Sequence, residues 1–195
     1  MKNLILTLGF IIAASLIIEG QPDFITLTKS TVTVNGSSNV HEWQSNAKNL
    51  SVAGSLDVEN GELTGIKSFK IVFPVKGIKS DKGSIMDDKT WEALKAKSCP
   101  SITYSMTKLN SITKSGSSYN LSTGGNLTIA GVTKYVNIDA AAKSIGGGQF
   151  QFVGNKKLKM TTFGISPPTA MFGAMTTGDD IDIRFNIVLQ ESAAQ

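Results

Sequence analysis

Apolar and polar residues take turns over "DIDIRFNIVLQ", broken only at Val188. Ile181, Ile183, Phe185, Ile187 and Leu189 fall on one face, and Asp180, Asp182, Arg184, Asn186 and Gln190 on the other. "SFKIVFPV" repeats the pattern, with Phe69, Ile71, Phe73 and Val75 set against Lys70, Pro74 and Lys76. Weaker alternation runs through residues 31–34, 50–58, 102–106, 127–129, 136–140 and 150–153. A period of two with one apolar face predicts half-buried antiparallel strands. Asn60-Gly61 is a two-residue hairpin signal, and 115–117 and 146–148 mark further reversals. The chain is therefore read as all-β, with seven to nine strands joined by tight turns into a barrel or a sandwich.

Residues 1–20 stand apart. Lys2 precedes an apolar run over 4–18 that is too short for a comfortable membrane span, and polar sequence follows at once. This predicts a secretory signal peptide cut after Ser15 or Gly20, and hence a periplasmic or secreted protein with no membrane span after cleavage. The remaining residues, 21–195, suffice for one domain with one core. Cys99 is the only cysteine, so no internal disulfide can staple that domain. The net charge of +4 comes from scattered lysines, of which Lys156, Lys157 and Lys159 form the densest group. Without interleaved aromatics such a group reads as a solvated strand face, and nucleic acid is not an expected partner.

Two stretches break the alternation. "MDDKTWEALKAKSCP" predicts one short helix, with Asp87 or Asp88 as N-cap and Pro100 beyond its end. Its Trp91 and Leu94 share a face that should pack on the strands. The other stretch, 163–180, is too long for a hairpin turn and too apolar to be a plain linker, so it should cover something apolar. A closed barrel has such a mouth, whereas a well-packed sandwich has less need of a flap.

Catalytic constellations are hard to assemble. His41 is the only histidine, so a Ser-His-Asp or Cys-His site would have to use it, with Cys99 as the one thiol. Zinc needs three or four spaced ligands, "DVENGELTG" lacks a calcium-loop ligand run, and "IGGGQF" has no helix after it to cradle phosphate. No catalytic residue, metal or cofactor is expected. What remains is a container whose apolar interior is either a dry core or a pocket.

The motifs resemble a known family. "VNGSSNVHEW" and "VAGSLDVENGELTGIKSFKIVFPVKGIKS" are similar to the opening of the YceI-like family of exported bacterial proteins. "MDDKTWEALKAKSCPSITYSM" resembles its helix and following strand, "GNLTIAGVTKYVNI" its strand and turn, and "MTTFGISPPTAMFGAMTTGDDIDIRFNIVL" its Phe-Gly loop and last strand. The resemblance implies a single up-and-down, lipocalin-like antiparallel barrel of about eight strands with one short helix. It also implies export, an apolar ligand such as a polyisoprenoid, quinone or lipid-like molecule, and no enzymatic chemistry.

His41 and Trp43 are expected on one side of a strand, with Glu42 opposite. They are read as a pocket wall or, for His41, as a buried structural group. Alternation nominates Trp43, Ile71, Phe73, Tyr104, Met106, Phe152, Ile183 and Phe185 for the ligand-binding wall, and Met171 and Phe172 for a flap. The rival readings are a filled barrel serving as a structural or stress-related interaction protein, and a lipid-acting enzyme using Asp180. A homodimer stays open.

Overall fold

The alternating segments pair into one antiparallel sheet. The computed structural model describes residues 24–26 and 29–191, so the expected signal segment lies outside the described residues. Twelve strands lie within them: β1 Phe24–Thr26, β2 Thr31–Ser38, β3 Glu42–Ala47, β4 Ser51–Glu59, β5 Glu62–Pro74, β6 Ile78–Ser80, β7 Ser101–Ser115, β8 Ser118–Ile129, β9 Val132–Gly146, β10 Gln149–Lys159, β11 Thr169–Ala170 and β12 Met175–Glu191. One helix, α1 at Ser84–Ala93, sits between β6 and β7. The expectation of about eight strands is corrected by this count, and most of the cause lies before residue 81.

There the strands are creased. β1 and β2 both pair with β12, β3 and β4 follow one another against β2 and β1, and β6 continues β5 by pairing with β3. The breaks support each other. Ser30 is buried, and its hydroxyl accepts the Val188 N–H at 2.9 Å and donates to the Val188 carbonyl at 3.2 Å, replacing ladder bonds where β1 and β2 part. Lys48 N–H donates to the Gly77 carbonyl at 2.9 Å, tying the β3–β4 break to the β5–β6 break. Alternation read from sequence runs through these creases unseen.

Below the crease the circuit β1-β4-β5-β7-β8-β9-β10-β12 closes on itself, because the three residues of β1 pair with both β4 and β12. Above it the sheet ends at β6 and parts from β7, so the barrel is closed at one end only. Helix α1 covers the parted side. Its N-cap is Gly83, which corrects the expected Asp87 or Asp88. Asp87 instead lies buried in the first turn, accepts the Ser80 N–H at 2.7 Å, and pairs with Lys79 at 3.1 Å. Trp91 donates its indole N–H to the Ile78 carbonyl at 3.0 Å, with the Lys79 ammonium 4.0 Å above its ring. Both contacts clamp the helix to β6.

The expected flap over 163–180 is shorter than predicted, since β12 begins at Met175. A 3-10 turn, Met160–Phe163, follows β10 and fills the place where β9 and β10 have parted beyond the Ala140–Gly154 pair. Phe163 and Ile165 are buried there. Asp179 on β12 accepts the Thr161 N–H at 2.8 Å and its hydroxyl at 2.7 Å, which pins the turn.

Candidate functional site

Inward side chains do different things at the two ends of the barrel. At the closed end Phe24 and Phe150 meet edge to face with ring centroids 6.0 Å apart. Leu56, Leu63, Tyr119 and Leu189 fill the space around them, and the Tyr119 hydroxyl accepts the Leu63 N–H at 3.2 Å. This is packed core. Above it the opposite walls no longer meet, and a cavity of about 210 Å³ extends toward the parted end.

Its floor is Ile66, Phe69, Leu121, Phe152 and Ile187, with Phe69 and Phe152 tilted together at 6.1 Å. The strand register fixes the rungs above. Gly154, Phe185, Val32, Ala47 and Ile78 form one rung through successive pairs. The next is Lys156, Ile183, Val34, Ser45 and Ser80, and above that come Leu158, Ile181, Gly36 and Trp43. Trp43 lies across the neighbouring strand, where a Cβ on Gly36 would fall 2.2 Å from the indole, so the rim aromatic requires glycine beneath it. Its indole N–H donates to the Ser37 carbonyl at 3.1 Å.

All eight residues nominated for the wall, Trp43, Ile71, Phe73, Tyr104, Met106, Phe152, Ile183 and Phe185, line this cavity. Tyr104 shares a hydrogen bond of 3.0 Å with the Thr123 hydroxyl. Burial pushes its phenol above the ordinary value against that bond, so it stays neutral at physiological pH. The flap is corrected at Phe172, which stands fully in solvent on the short turn Met171–Gly173; the side chain of Met171 lies outside the described residues. Met160, Phe163, Ile165 and Pro168 line the cavity where Phe172 does not.

His41 is also corrected, on both readings. It precedes β3 in an exposed turn, where its backbone carbonyl accepts the Ser38 N–H at 2.9 Å and the Ser38 hydroxyl at 2.8 Å. Its imidazole is neither buried nor part of the wall. Cys99 lies elsewhere, beside Gly131 at the β8–β9 turn. Asp180 pairs outside the barrel with Lys159 at 2.9 Å, away from the cavity. Among the described residues, no three His, Cys, Asp or Glu side chains gather as metal ligands.

Two contributions to the wall escape the sequence reading. Helix α1, expected to pack on the strands through Trp91 and Leu94, supplies Met86, Lys89, Thr90, Ala93 and Leu94 to the wall, while Trp91 is bound to β6 instead. Lys156, read as part of a solvated lysine face, points inward with Phe150, Phe152 and Leu158, and only Lys157 and Lys159 point out. Continuing the alternation of 150–153 for three more residues reaches Lys156.

The YceI-like domain model matches residues 25–189. A comparison with curated protein sequences finds no match. Among solved structures the chain is similar to a polyisoprenoid-binding domain from Saccharophagus degradans, with TM-score 0.68, 8% identity, and coverage of 88% of this chain and 100% of that one. It is similar to Burkholderia cenocepacia BcnA, with TM-score 0.63, 20% identity, and coverage of 84% and 98%. The Campylobacter jejuni YCEI protein follows at TM-score 0.58 and 20% identity, with coverage of 99% and 100%. At these identities the likeness is one of fold.

Proposed function

The chain belongs to the YceI-like family, and from that premise we propose that it is an exported binding or carrier protein that holds an apolar, polyisoprenoid- or lipid-like molecule inside its barrel. The observation that carries this reading is the apolar cavity that runs from the Phe69–Phe152 floor to the Trp43 rim. Apolar burial supplies the driving force, about 25 cal/mol per Å² of surface removed from water before ordering costs. The wall residues nominated above are the proposed contacts. The filled-barrel alternative is disfavoured because the core stops at the floor and opposite walls stand apart above it. A lipid-acting enzyme is disfavoured because Asp179 and Asp180 hold the Thr161 turn and Lys159.

Export rests on the composition of residues 1–20. Among the described residues, no helix is long and apolar enough to cross a membrane. The test is native mass spectrometry of the protein recovered from its producing cells, followed by organic extraction. A stoichiometric isoprenoid, quinone or fatty-acyl adduct is expected. A folded protein that arrives empty and refuses added isoprenoids, quinones and fatty acids would favour the filled-barrel role.

A further inference from the structure

Outside the barrel, the wall made by β7, β8 and β9 carries a second concavity, a groove of about 450 Å³. The ladder builds it from two rows: Ser111, Ser122 and Asp139 in one, Thr113, Asn120, Ala141 and Val153 in the other. These positions alternate with Leu121, Thr123, Ala140 and Phe152, which line the interior cavity, so their side chains stand on the outer face.

The polar groups of this groove are unused by the fold. Ser111, Thr113, Asn120, Ser122 and Asp139 have no side-chain hydrogen bond or ion pair among the described residues. Other outward rows tie their strands together: Gln149 with Gln190 at 2.8 Å, Gln151 with Asn186 at 2.9 Å, and Thr128 with Thr133 at 2.8 Å. In the groove, hydroxyl, amide and carboxylate groups converge with every donor and acceptor open.

An aromatic ring continues the wall above the groove. Tyr135 is 58% exposed, and its side chain lies over Gly124, where an added Cβ would fall 1.9 Å from the phenol oxygen. Gly124 is one outward step from Ser122, so the ring leans along the sheet toward the groove. Laid over a glycine, the ring keeps its outer face open. Asn137 lies beside it, fixed by a hydrogen bond of 3.4 Å from Asn110. Tyr135 and Asp139 are four residues apart on β9, a span of about 13 Å in an extended strand.

An open aromatic face followed by a run of short hydroxyl and amide groups suits a sugar chain. The C–H face of one ring stacks on the phenol, and the hydroxyls of the next find donors and acceptors at close spacing. Asp139 is the groove's only charged group and can only accept, which disfavours an acidic saccharide. The rows are paired across β7, β8, β9 and β10, so the groove offers no free strand edge to a peptide.

We propose that this outer wall binds a neutral oligosaccharide, with one ring stacked on Tyr135 and the next held in the groove by Asp139, Ser122 and Asn120. The inference is independent of the carrier reading, since groove and cavity lie on opposite faces of the same wall.

The test titrates isotope-labelled protein with cellotetraose, chitotetraose, mannotetraose, tetragalacturonate and a mixture of uncharged hexapeptides, read by amide chemical shifts. At least one neutral saccharide should shift amides of residues 120–126 and 135–141 saturably and bind about fivefold or more tightly than tetragalacturonate. Tyr135→Ala and Asp139→Ala should each weaken it by about fivefold to tenfold, whereas Tyr135→Phe should retain it. Thermal melts and unchanged uptake of an apolar probe by the cavity establish that the variants are folded. Failure of all three neutral saccharides to give saturable shifts would overturn the proposal, as would equal binding of tetragalacturonate. Unchanged affinity in folded Tyr135→Ala and Asp139→Ala would overturn it too. Hexapeptides that shift the same amides as strongly as any saccharide would overturn it in favour of a peptide groove.

Discussion

The two ends of this barrel are built from the same inward alternation and differ in what the inward residues meet. At the closed end Phe24 and Phe150, on the two strands that flank β12, meet edge to face, and Leu189 between those strands is wholly buried. At the open end the same face of β12 presents Ile183 and Ile181 to empty space. The difference comes from closure. Where β1 joins β4 to β12 the circumference is fixed; where β6 and β7 part a helix covers the gap, and where β9 and β10 part a turn does, without filling the interior. An apolar inward face therefore does not by itself tell core from pocket.

The comparison can be broken by substitution, beginning at the closed end. Phe150→Ala removes half of an aromatic pair in packed core and should cost about 3–5 kcal/mol, read from urea unfolding. A cost as low as that of a cavity residue would mean the end is not a plug.

The helix that covers the open end hangs on Asp87. Asp87→Ala leaves the Ser80 N–H without its partner and should cost about 1–3 kcal/mol. Burial works to raise the Asp87 carboxyl, yet the Ser80 amide and the Lys79 ammonium outweigh it and hold it below its ordinary value of 3.8. Because the folded value is the lower one, this contribution is complete above that ordinary value. It fades as the pH falls through the folded value. Acid titration of wild type and variant should therefore converge at low pH; parallel curves would mean that Asp87 is not the clamp.

Phe185→Ala, on the wall of a space that already exists, should cost less than about 2 kcal/mol while weakening uptake of an apolar probe. A penalty equal to that of Phe150→Ala would count for the filled barrel. Phe172→Ser should shift stability by no more than about 0.5 kcal/mol, since its ring touches little. A larger loss in a melting experiment would restore it as a flap.

Much of this was legible as pattern. Strands at 69–74 and 181–189, the Asn60-Gly61 hairpin and the eight wall residues follow from alternation and turn chemistry, while Val75 falls in a 3-10 turn instead. What stayed hidden was decided by neighbours. The outer half of β7, residues 107–115, has only Leu109 and Ile112 as large apolar residues, three apart and so without a period of two, and it is the ladder with β8 that makes it a strand. Irregularities between Met106 and Lys108 and between Leu109 and Ser111 also scramble its phase. Lys156 was hidden by composition, since three lysines close together look like a surface. His41 was misplaced because Ser38 closes a turn around it and β3 begins one residue later.

The three residues of β1 also bear on how the molecule assembles. Phe24 pairs with Glu191, so the contact that completes the circuit joins opposite ends of the described chain. Hairpins such as β7–β8 and β8–β9 can form from local sequence, but the ring waits for the final strand to emerge. Until then β1, β2 and β10 each present an unpaired edge, and the Phe150 side of the plug faces water. Folding should accordingly be slow at its last step. Shortening the chain at either end of that contact should yield sticky, incompletely closed species.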